Sequence, residues 1–387
     1  MIILGIETSC DETSIAVVKT EGGAPNPSFH LISHSLHSQI DIHKQYGGVF
    51  PQEARRAHAA NITPILAEAL ENAHLAVYNA HPLDKELKHT IKELLHKEPE
   101  LFDILIDFVE RVEKPAINAI AVTIGPGLPP ALWVGVNFAR ALSLIWDIPI
   151  VGCNHMKGHI VSVLMSEAAE ENPVQFPAIS LLISGGHTEL VYMKDADTTE
   201  KIGQTRDDAV GEAFDKVARM MGLSYPGGPL IGKLAHEHRQ KFPVSVPLYP
   251  LPRPMIHTDD FDFSFSGIKT AVLYTLKDIG EITDEIRSDI SREFETAVTE
   301  VLIAKTKKAL DEYEAKSIII GGGVTASTYI REQFKILADS TGKKLYVPDR
   351  SLSTDNAVMI AIAGYKRIQH YGYDDPATLS AQSNMSL

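Results

Sequence analysis

The chain has 387 residues, 44% of them apolar and 22% charged, which is ordinary for a large globular α/β protein. This length exceeds one ordinary hydrophobic core, so two lobes are expected. The 36 basic and 50 acidic side chains give a formal net charge of −14, which argues against a protein that holds nucleic acid by itself. No apolar run reaches the roughly 18 residues of a membrane span and the N-terminus lacks the basic flank of a signal peptide, so a cytoplasmic protein is predicted, with no membrane partner.

One arrangement of predicted strands occurs twice along the chain. Residues 2–6 and 14–18 are apolar and flank a polar turn, which predicts strand, turn and strand. Residues 179–183 and 189–193 repeat the pattern around the turn SGGHT. Each turn is short and rich in hydroxyl groups or glycine, so the repetition indicates a duplicated unit.

Each half also contains a predicted strand that runs into a glycine cluster and then a helix. Residues 117–124 precede the cluster at 125–127, and residues 317–320 precede the cluster at 321–323. Glycine at such a junction lets backbone N–H groups approach a phosphate at the positive end of the helix. A single loop of this kind is equally consistent with a tight turn, whereas four polar or glycine-rich loops in a duplicated order favour a phosphate site.

Residues 78–114 are predicted to form a helical hairpin within the first half. Apolar positions make one stripe before Pro99 and a stronger one after it. These positions are Leu87, Ile91, Leu94, Leu95, Leu101, Ile104, Leu105, Phe108, Val109 and Val112. Packing onto the N-terminal lobe is the favoured role, and a docking surface for a partner is the alternative.

Two histidines and a distant aspartate form the strongest candidate for a metal site. His155 and His159 are four residues apart, so on a helix their imidazoles lie side by side, and Asp355 follows about 200 residues later. Two imidazoles and one carboxylate would hold a divalent ion and leave positions open for a substrate oxygen. The alternative is a pair of capped or solvated histidines, since the chain has 16 histidines in total.

The duplicated unit is similar to the organisation of the actin, Hsp70 and sugar-kinase superfamily, in which a ligand cleft lies between two lobes. A series of more specific motifs occurs along the chain: GIETSCDET at 5–13, GPGL at 125–128, HMKGH at 155–159, SGGHT at 184–188, DDAVGEAFDK at 207–216, YPGGP at 225–229, FSGIKTAV at 265–272 and GGV at 322–324. With these motifs in this order, the chain resembles a narrower family, the bacterial TsaD proteins, which are tRNA N6-adenosine threonylcarbamoyltransferases once called glycoproteases. The resemblance runs from residue 2 to about residue 365.

The resemblance implies transfer of the threonylcarbamoyl group of threonylcarbamoyl-AMP to N6 of the adenosine 3′ of the anticodon in tRNA. It implies one divalent ion per chain, Fe²⁺ or Zn²⁺, held by His155, His159 and Asp355. Asp11 matches an acidic residue that the family needs, and is the candidate for orienting or deprotonating the attacking amine; a turn-capping aspartate is the alternative. The implied substrate contacts are Ile183, Ser184, Gly185, Gly186, His187, Asp215, Gly228 and Ser327, with Ser9, Gly322 and Gly323 in phosphate or nucleotide loops.

The chain departs from the family pattern at three places: the stretch 78–114 is longer than the family's usual link, and two further departures bear on its ligands. Ser327 stands where the family usually has asparagine, so a shorter hydroxyl with one donor replaces a side-chain amide. Residues 47–58 resemble the family's GGVVPELASRAH segment, but Gln52 stands where glutamate is usual. Arg55 and Arg56 are a possible tRNA patch in this segment, and an ordinary solvated helix face is the alternative.

The sequence therefore predicts a two-lobed actin-like α/β fold with a helical insertion. Residues 1–150 are expected to form the N-terminal lobe and residues 151–354 the second lobe, while 355–387 supply a helix that returns to the first lobe and a loose tail. The implied partners are tRNA, a TsaB-like paralogue and a TsaE-like ATPase.

Two other functions compete with this interpretation. A zinc metalloprotease needs glutamate directly after the first histidine, where this chain has Met156. A non-catalytic scaffolding paralogue is the other alternative, and the three predicted metal ligands count against it.

Overall fold

The computed structural model describes residues 1–23, 27–244 and 246–387. Its strands are β1 (Ile2–Glu7), β2 (Glu12–Glu21), β3 (Ser28–Ser38), β4 (Ala119–Gly125), β5 (Ile150–Asn154), β6 (Ala178–Ile183), β7 (Thr188–Met193), β8 (Thr199–Gln204), β9 (Ser317–Gly321) and β10 (Lys344–Tyr346). Its α-helices are α1 (Ile40–His43), α2 (Pro51–Asn72), α3 (Lys85–Leu94), α4 (Pro99–Val109), α5 (Pro129–Trp146), α6 (His155–Val161), α7 (Glu167–Glu171), α8 (Val210–Met220), α9 (Gly227–Lys241), α10 (Ser266–Ile279), α11 (Asp284–Glu312), α12 (Thr328–Thr341) and α13 (Ala357–Tyr371). Short 3₁₀ helices cover Lys44–Tyr46, Ser162–Met165, Gly323–Ala326 and Arg350–Leu352.

The chain forms two compact units, each built on one five-stranded sheet. The first unit contains Met1–His43, Val49–Met165 and Asp355–Leu387. The second contains Lys44–Gly48 and Ser166–Thr354. The predicted boundary at residue 150 differs from this division, because β5 pairs in parallel with β4 and so belongs to the first sheet.

The two sheets have the same topology, which confirms the predicted duplication. The first has the strand order β3-β2-β1-β4-β5 and the second has β8-β7-β6-β9-β10, the same order in the second set of five. In each sheet the first three strands in sequence pair in an antiparallel manner. Strands β4 and β5 run parallel to β1, and β9 and β10 run parallel to β6. In both units the fourth strand also leads through glycine into a helix, as predicted.

The first sheet carries helices on its faces because its central strands are apolar on both sides. All seven residues of β4 are buried, as expected for a parallel strand covered by helices. Helix α13 packs against β1, β4 and β5. It comes so close to β1 that any side chain at Gly5 would overlap the Ala357 carbonyl oxygen, so the last helix is joined tightly to the first strand.

The predicted helical hairpin is present as α3 and α4, and it packs on the core of the first unit. Helix α4 contacts α2, and α3 contacts α5. Nine of the ten predicted apolar positions are buried or partly buried in the hydrophobic core of the first unit. The prediction for Ile104 is wrong, because this residue is 39% exposed and Ile106 is buried in its place. A bridge between Tyr78 and Val112 closes the base of the hairpin.

The C-terminal tail is not loose as predicted, because it runs along the first unit with paired backbone. Asp374 N–H donates to the Ile150 carbonyl at 2.9 Å, and Gln382 N–H donates to the Ile124 carbonyl at 2.6 Å. Leu379 is buried in the same apolar cluster as the sheet. Apolar periodicity does not reveal this segment, because backbone hydrogen bonds hold much of it and a single buried residue such as Leu379 sets no period.

The second unit has its own core on the 29-residue helix α11. Phe294 of this helix packs edge-on against Phe214 of α8, with ring centroids 4.9 Å apart. Phe263 and Phe265 are fully buried in the same cluster. Among the helices of the described residues, none has the length and apolar character needed to cross a membrane.

Candidate functional site

Helix α6 brings the two predicted metal-binding histidines together at the end of β5. Asn154 caps the helix by accepting a hydrogen bond from Lys157 N–H at 3.0 Å. His155 and His159 follow one turn apart, and their rings stand nearly perpendicular with centroids 4.7 Å apart. Both side chains are buried, so these are not solvated histidines.

Asp355 completes the predicted set from the segment just before α13. Its Oδ1 lies 3.3 Å from His155 Nε2 and 3.0 Å from His159 Nε2. One ligand atom from each of the three residues lies within 4.8 Å of the others. Two imidazole nitrogens and one carboxylate oxygen are a donor set that suits Fe²⁺ or Zn²⁺, so the residues fit the predicted ion.

Glu7 is a second carboxylate at this site that sequence reasoning did not single out. Its Oε2 lies 3.1 Å from His155 Nδ1 and accepts a hydrogen bond from Thr123 Oγ1 at 2.6 Å. Its Oε1 accepts from Ser9 N–H at 2.5 Å. A carboxylate on the far ring nitrogen orients a histidine and leaves the other nitrogen for a metal. The sequence signal that could have identified Glu7 is a glutamate at the end of an otherwise apolar strand.

The charges at this site shift the pKa values of its groups in opposite directions. Burial alone would lower the pKa of His155, but the Asp355 and Glu7 carboxylates on its two sides raise it well above its usual value. Burial alone would raise the pKa of both carboxylates, yet attraction to His155 lowers the pKa of Glu7 and of Asp355. The cluster therefore favours a cation in its centre, whether a proton or a metal ion.

Asp11 lies in the turn between β1 and β2, close to this cluster. Its side chain is only 8% exposed. Burial, with a contribution from the negative charge of Asp355, raises the pKa of Asp11. Burial and the neighbouring Asp11 raise the pKa of Glu12 well above its usual value. A carboxylate with a raised pKa is a better proton acceptor near neutral pH than an exposed one.

Ser9 lies in the same turn, where it contacts His155, one of the predicted metal ligands. Its Oγ is 3.2 Å from His155 Nδ1, and the residue is 2% exposed. The hydroxyl predicted for a phosphate loop is therefore directed at the histidine, and the backbone carbonyl of Ser9 accepts from Leu128 N–H at 2.8 Å.

In the second unit, residues 183–187 form a tight turn between β6 and β7. Ser184 N–H donates to the His187 carbonyl at 2.9 Å, and His187 N–H donates to Ser184 Oγ at 3.0 Å. No heavy atom lies within 4 Å of where a side chain would begin at Gly185 or Gly186. Within the second unit, the turn thus presents open backbone next to Ile183, as a phosphate-binding loop requires.

The loop after β9 reaches the same turn. Gly322 has a φ of +92°, and a side chain there would overlap the Ile183 carbonyl oxygen, so only glycine suits this position. Gly323 begins the 3₁₀ turn that follows. Gly211 of α8 also approaches, donating its N–H to the Ser184 carbonyl at 3.2 Å. The predicted loops at 184–187 and 322–323 are therefore neighbours in space.

Asp215 and Gly228 lie where α8 meets the start of α9. Asp215 Oδ1 accepts a hydrogen bond from Gly227 N–H at 2.7 Å, which fixes the first turn of α9. Gly228 has no heavy atom within 4 Å of its missing side chain. Asp215 therefore has a structural contact with the start of α9. Gly228 leaves open space at its missing side chain.

Ser327 lies at the start of α12, where its hydroxyl has two partners. It caps the helix by accepting from Ile330 N–H at 3.3 Å. It also donates to Glu295 Oε1 of α11 at 3.0 Å. Glu295 is a buried residue that sequence reasoning missed, because nothing in the apolar pattern of α11 separates it from a surface glutamate.

The predicted tRNA patch is not a pair of free arginines. Arg55 Nε contacts Glu98 Oε1 at 2.5 Å, and its Nη2 donates to the Lys97 carbonyl at 2.7 Å. Arg56 is 76% exposed and forms a helical ion pair with Glu53. Arg55 therefore attaches α2 to the hairpin, which leaves Arg56 as the exposed member of the proposed patch.

Comparison with known proteins gives a consistent result over nearly the whole chain. The family model described as tRNA N6-adenosine threonylcarbamoyltransferase matches residues 30–81 and 103–362, and the interval that it omits contains α3. The chain is similar to the tRNA N6-adenosine threonylcarbamoyltransferase of Paraburkholderia xenovorans (strain LB400), with 40% identity over 373 residues, covering 96% of this chain and 93% of that protein. It is 41% identical to the protein of the same name from Bacillus anthracis, covering 100% of this chain and 96% of that protein.

A solved structure supports the fold independently of sequence. Full-length HypF in its phosphate- and nucleotide-bound form superposes with a TM-score of 0.55 at 12% identity, covering 96% of this chain and 56% of that one. At this identity the similarity concerns the fold alone.

Proposed function

Because the chain belongs to the tRNA N6-adenosine threonylcarbamoyltransferase family, we propose how its residues carry out the transfer of a threonylcarbamoyl group to N6 of adenosine in tRNA. The observation that carries the function is 40% identity over 96% of the chain to an enzyme of that name. The motifs that make up the site are present along with this overall similarity. The target is the adenosine 3′ of the anticodon, as the family resemblance implies.

The donor in this proposal is threonylcarbamoyl-AMP, bound through its adenylate part by the second unit. The backbone at Ser184, Gly185 and Gly186 and at Gly322 and Gly323 supplies N–H donors for the phosphate. The open space at Gly228 supports a place for the nucleoside. Asp215 and Ser327 are the side chains assigned to this ligand, together with Ile183 and His187 of the turn.

The metal ligands in this proposal are His155, His159 and Asp355, holding one Fe²⁺ or Zn²⁺ per chain. When bound, such an ion polarises oxygens of the threonylcarbamoyl group and stabilises negative charge on the carbonyl oxygen. Glu7 contributes by holding the ring of His155 through Nδ1. The close grouping of the three ligands and the second carboxylate behind His155 support this assignment.

Asp11 is proposed as the group that orients the attacking amine and accepts its proton. The N6 nitrogen forms a bond to the carbamoyl carbon, the bond from that carbon to the phosphate oxygen breaks, and AMP leaves with the electron pair. The amine must lose one proton in this step, and Asp11 takes it. The burial that raises the pKa of Asp11 supports this role.

The proposal extends to partner proteins and to the place in the cell where the chain works. A chain with a net charge of −14, in which Arg55 is occupied by Glu98, offers little local positive charge for tRNA in the predicted patch. We therefore expect a TsaB-like paralogue and a TsaE-like ATPase to be needed, and expect the protein to work in the cytoplasm where tRNA is found.

Mass spectrometry of tRNA nucleosides tests the proposed function. A strain depleted of its own enzyme is supplied with this chain or with the Asp11→Asn variant. Return of threonylcarbamoyladenosine with the natural sequence, and its loss with the variant, is the expected result. Failure of the natural sequence to restore the nucleoside, although the protein accumulates, would contradict the function.

A further inference from the structure

A buried carboxylate on α11 lies directly against Ser327. Glu295 is 1% exposed, and its Oε1 accepts the hydroxyl hydrogen of Ser327 at 3.0 Å. A buried carboxylate is costly unless its oxygens are paired, so this contact has a defined role in the local structure. The two residues are 32 positions apart in sequence, and the contact is made by the tertiary fold.

Arg239 of α9 holds the other oxygen of Glu295. Its guanidinium forms an ion pair with Glu295 Oε2 and donates to Thr296 Oγ1 at 3.0 Å. The same guanidinium lies 3.5 Å from the ring centroid of Tyr329. Burial raises the pKa of Glu295, and the hydrogen bond and positive charge of Arg239 act against this rise. In its ion pair with Arg239, the carboxylate has only acceptor oxygens.

The hydrogen-bonding capacity of Ser327 is therefore almost fully assigned. A serine hydroxyl has one hydrogen and two lone pairs. The hydrogen is donated to Glu295, and one lone pair accepts from Ile330 N–H. The remaining capacity is one lone pair, so an additional partner of this hydroxyl must be a donor.

There is space for such a partner next to these residues. At Gly232 of α9, the atom nearest to a missing side chain is Glu295 Oε1 at 3.6 Å, with no other heavy atom within 4 Å. Gly228, one turn earlier, also has open space at its missing side chain. Neither glycine has a side chain that would obstruct a ligand on this side of α9, and the open position at Gly232 faces Glu295 Oε1, the atom that accepts from Ser327.

We propose that Arg239 and Glu295 are positioning residues that fix Ser327 as a hydrogen-bond acceptor, so that this site selects an adenylate through an N–H or O–H donor. The donor is either the 6-amino group of the base or a ribose hydroxyl. This inference rests on the proposed function, because it takes the adenylate as the ligand at Ser327. In the hydrogen bond between the adenylate and Ser327 Oγ, the adenylate donates and Ser327 accepts, and Arg239 and Glu295 impose this direction.

Binding of nucleotide analogues to the full-length protein tests the proposal by calorimetry. The probes are AMP, IMP, in which the 6-amino donor is replaced by an oxygen acceptor, and 2′-deoxy- and 3′-deoxy-AMP, which each lack one ribose hydroxyl. The natural protein is expected to bind at least one analogue about tenfold or more weakly than AMP. In Glu295→Gln, the side-chain amide can donate to Ser327 Oγ, so the Ser327 hydroxyl hydrogen becomes available to the ligand. The difference in affinity between AMP and the analogue should then narrow to within about threefold.

Glu293→Gln is a matched control on the same helix. Glu293 is also buried and also forms an ion pair with an arginine, Arg253, but it accepts from Leu251 N–H instead of a hydroxyl of the site. The Glu293→Gln variant should keep the full difference in affinity between AMP and the analogue. The midpoints of thermal unfolding of both variants check that they fold.

Three outcomes would overturn the inference. Equal binding of AMP and all analogues by the natural protein would do so, as would an unchanged difference in Glu295→Gln or an equal narrowing in Glu293→Gln. If the natural protein fails to bind AMP at all, the proposed adenylate site is itself wrong, and this outcome is distinct from binding without discrimination.

Discussion

At the scale of single residues, the site depends on a few buried polar groups whose partners come from distant parts of the chain. His155 is held by Glu7 on one ring nitrogen and faces Asp355 with the other. Ser327 is held by Glu295. In both cases one side chain orients another that is proposed to meet a ligand, so mutation of the orienting residue should change binding without removing a ligand contact.

The metal assignment predicts that His155→Ala combined with His159→Ala removes one divalent ion per chain. The double variant loses two of three ligands, and a single carboxylate does not retain the ion through dialysis. Elemental analysis of the purified protein measures the loss. A double variant of His30 and His89, which are exposed and lie elsewhere, should keep the natural content. Undiminished metal in the His155 and His159 variant would refute the assignment.

Ser327→Asn should keep or tighten binding of AMP. Asparagine is as good a helix N-cap as serine, so α12 should remain capped. Its amide can donate to Glu295 while its oxygen still accepts, which preserves the polarity at this position and extends its reach. Calorimetry measures the affinity. A loss of more than about tenfold, equivalent to roughly 1.4 kcal/mol, would show that the pocket is adapted to serine.

His58 makes the stability of the protein depend on pH through the turn that carries Asp11. Its Nε2 lies 3.1 Å from the Cys10 carbonyl, which needs an N–H there, and its Nδ1 lies 3.1 Å from Gln39 Nε2, an amide nitrogen that can only donate. These two contacts favour the neutral ring. Burial lowers the pKa of His58 to about 4. Its stabilising contribution is therefore fully present above the unfolded-state value and is lost as pH falls towards the folded-state value.

Between about pH 6.5 and pH 4, the natural protein should lose up to about 3 kcal/mol of unfolding free energy through His58. His58→Gln should have lower stability at pH 7 and a flatter pH dependence over this interval, since glutamine does not titrate. Urea denaturation at a series of pH values measures both curves. Parallel curves for the two proteins would contradict this role of His58.

At the scale of elements, the hairpin of α3 and α4 is part of the core of the first unit. Leu105 is fully buried, while Ile104, its neighbour in sequence, is 39% exposed. Arg55 joins α2 to the turn of the hairpin through Glu98. The insertion therefore has a structural role in the first unit.

The packing of α4 predicts opposite results for two adjacent substitutions. Leu105→Ala should lower the unfolding free energy by about 2–5 kcal/mol, because it leaves a cavity in a packed cluster. Ile104→Ala should change it by less than about 1 kcal/mol, because this side chain is 39% exposed and is not part of the packed cluster. Chemical denaturation of the two variants measures the difference. Similar values for both would mean that the hairpin is packed differently.

At the scale of the whole molecule, negative charge is the property that bears most on tRNA. The net charge is −14, and tRNA is a polyanion whose binding depends on cations that neutralise its phosphates. The ion pair of Arg55 further reduces the positive charge that the sequence suggests. The chain alone is therefore expected to bind tRNA weakly at physiological salt.

Titration of partner proteins into a reaction with threonylcarbamoyl-AMP and tRNA tests this expectation. The chain alone should give few turnovers at ~150 mM salt, and addition of a TsaB-like paralogue and a TsaE-like ATPase should raise the rate steeply. The metal content should not change when the partners are added. Many turnovers by the chain alone at this salt concentration would refute the partner requirement.

The sequence by itself determined the duplicated α/β plan and the identity of most candidate ligands. Strand periodicity, glycine at strand ends and the i, i+4 spacing of His155 and His159 are local properties, and local sterics and hydrogen bonding decide them. The hairpin of α3 and α4 was predictable for the same reason. Family resemblance supplied the assignment of Asp355, which no spacing within one element could provide.

Only the tertiary structure decided which polar side chains meet. Glu7 behind His155, Glu295 beneath Ser327 and Glu98 on Arg55 are ordinary glutamates in the sequence, and their partners are 32 to 148 positions away. The boundary near residue 150 and the ordered tail likewise depend on which strand or backbone group is adjacent in space. Pairing over such distances depends on how the packed elements come together, and apolar periodicity does not encode it, because periodicity specifies which face is buried but not what it faces.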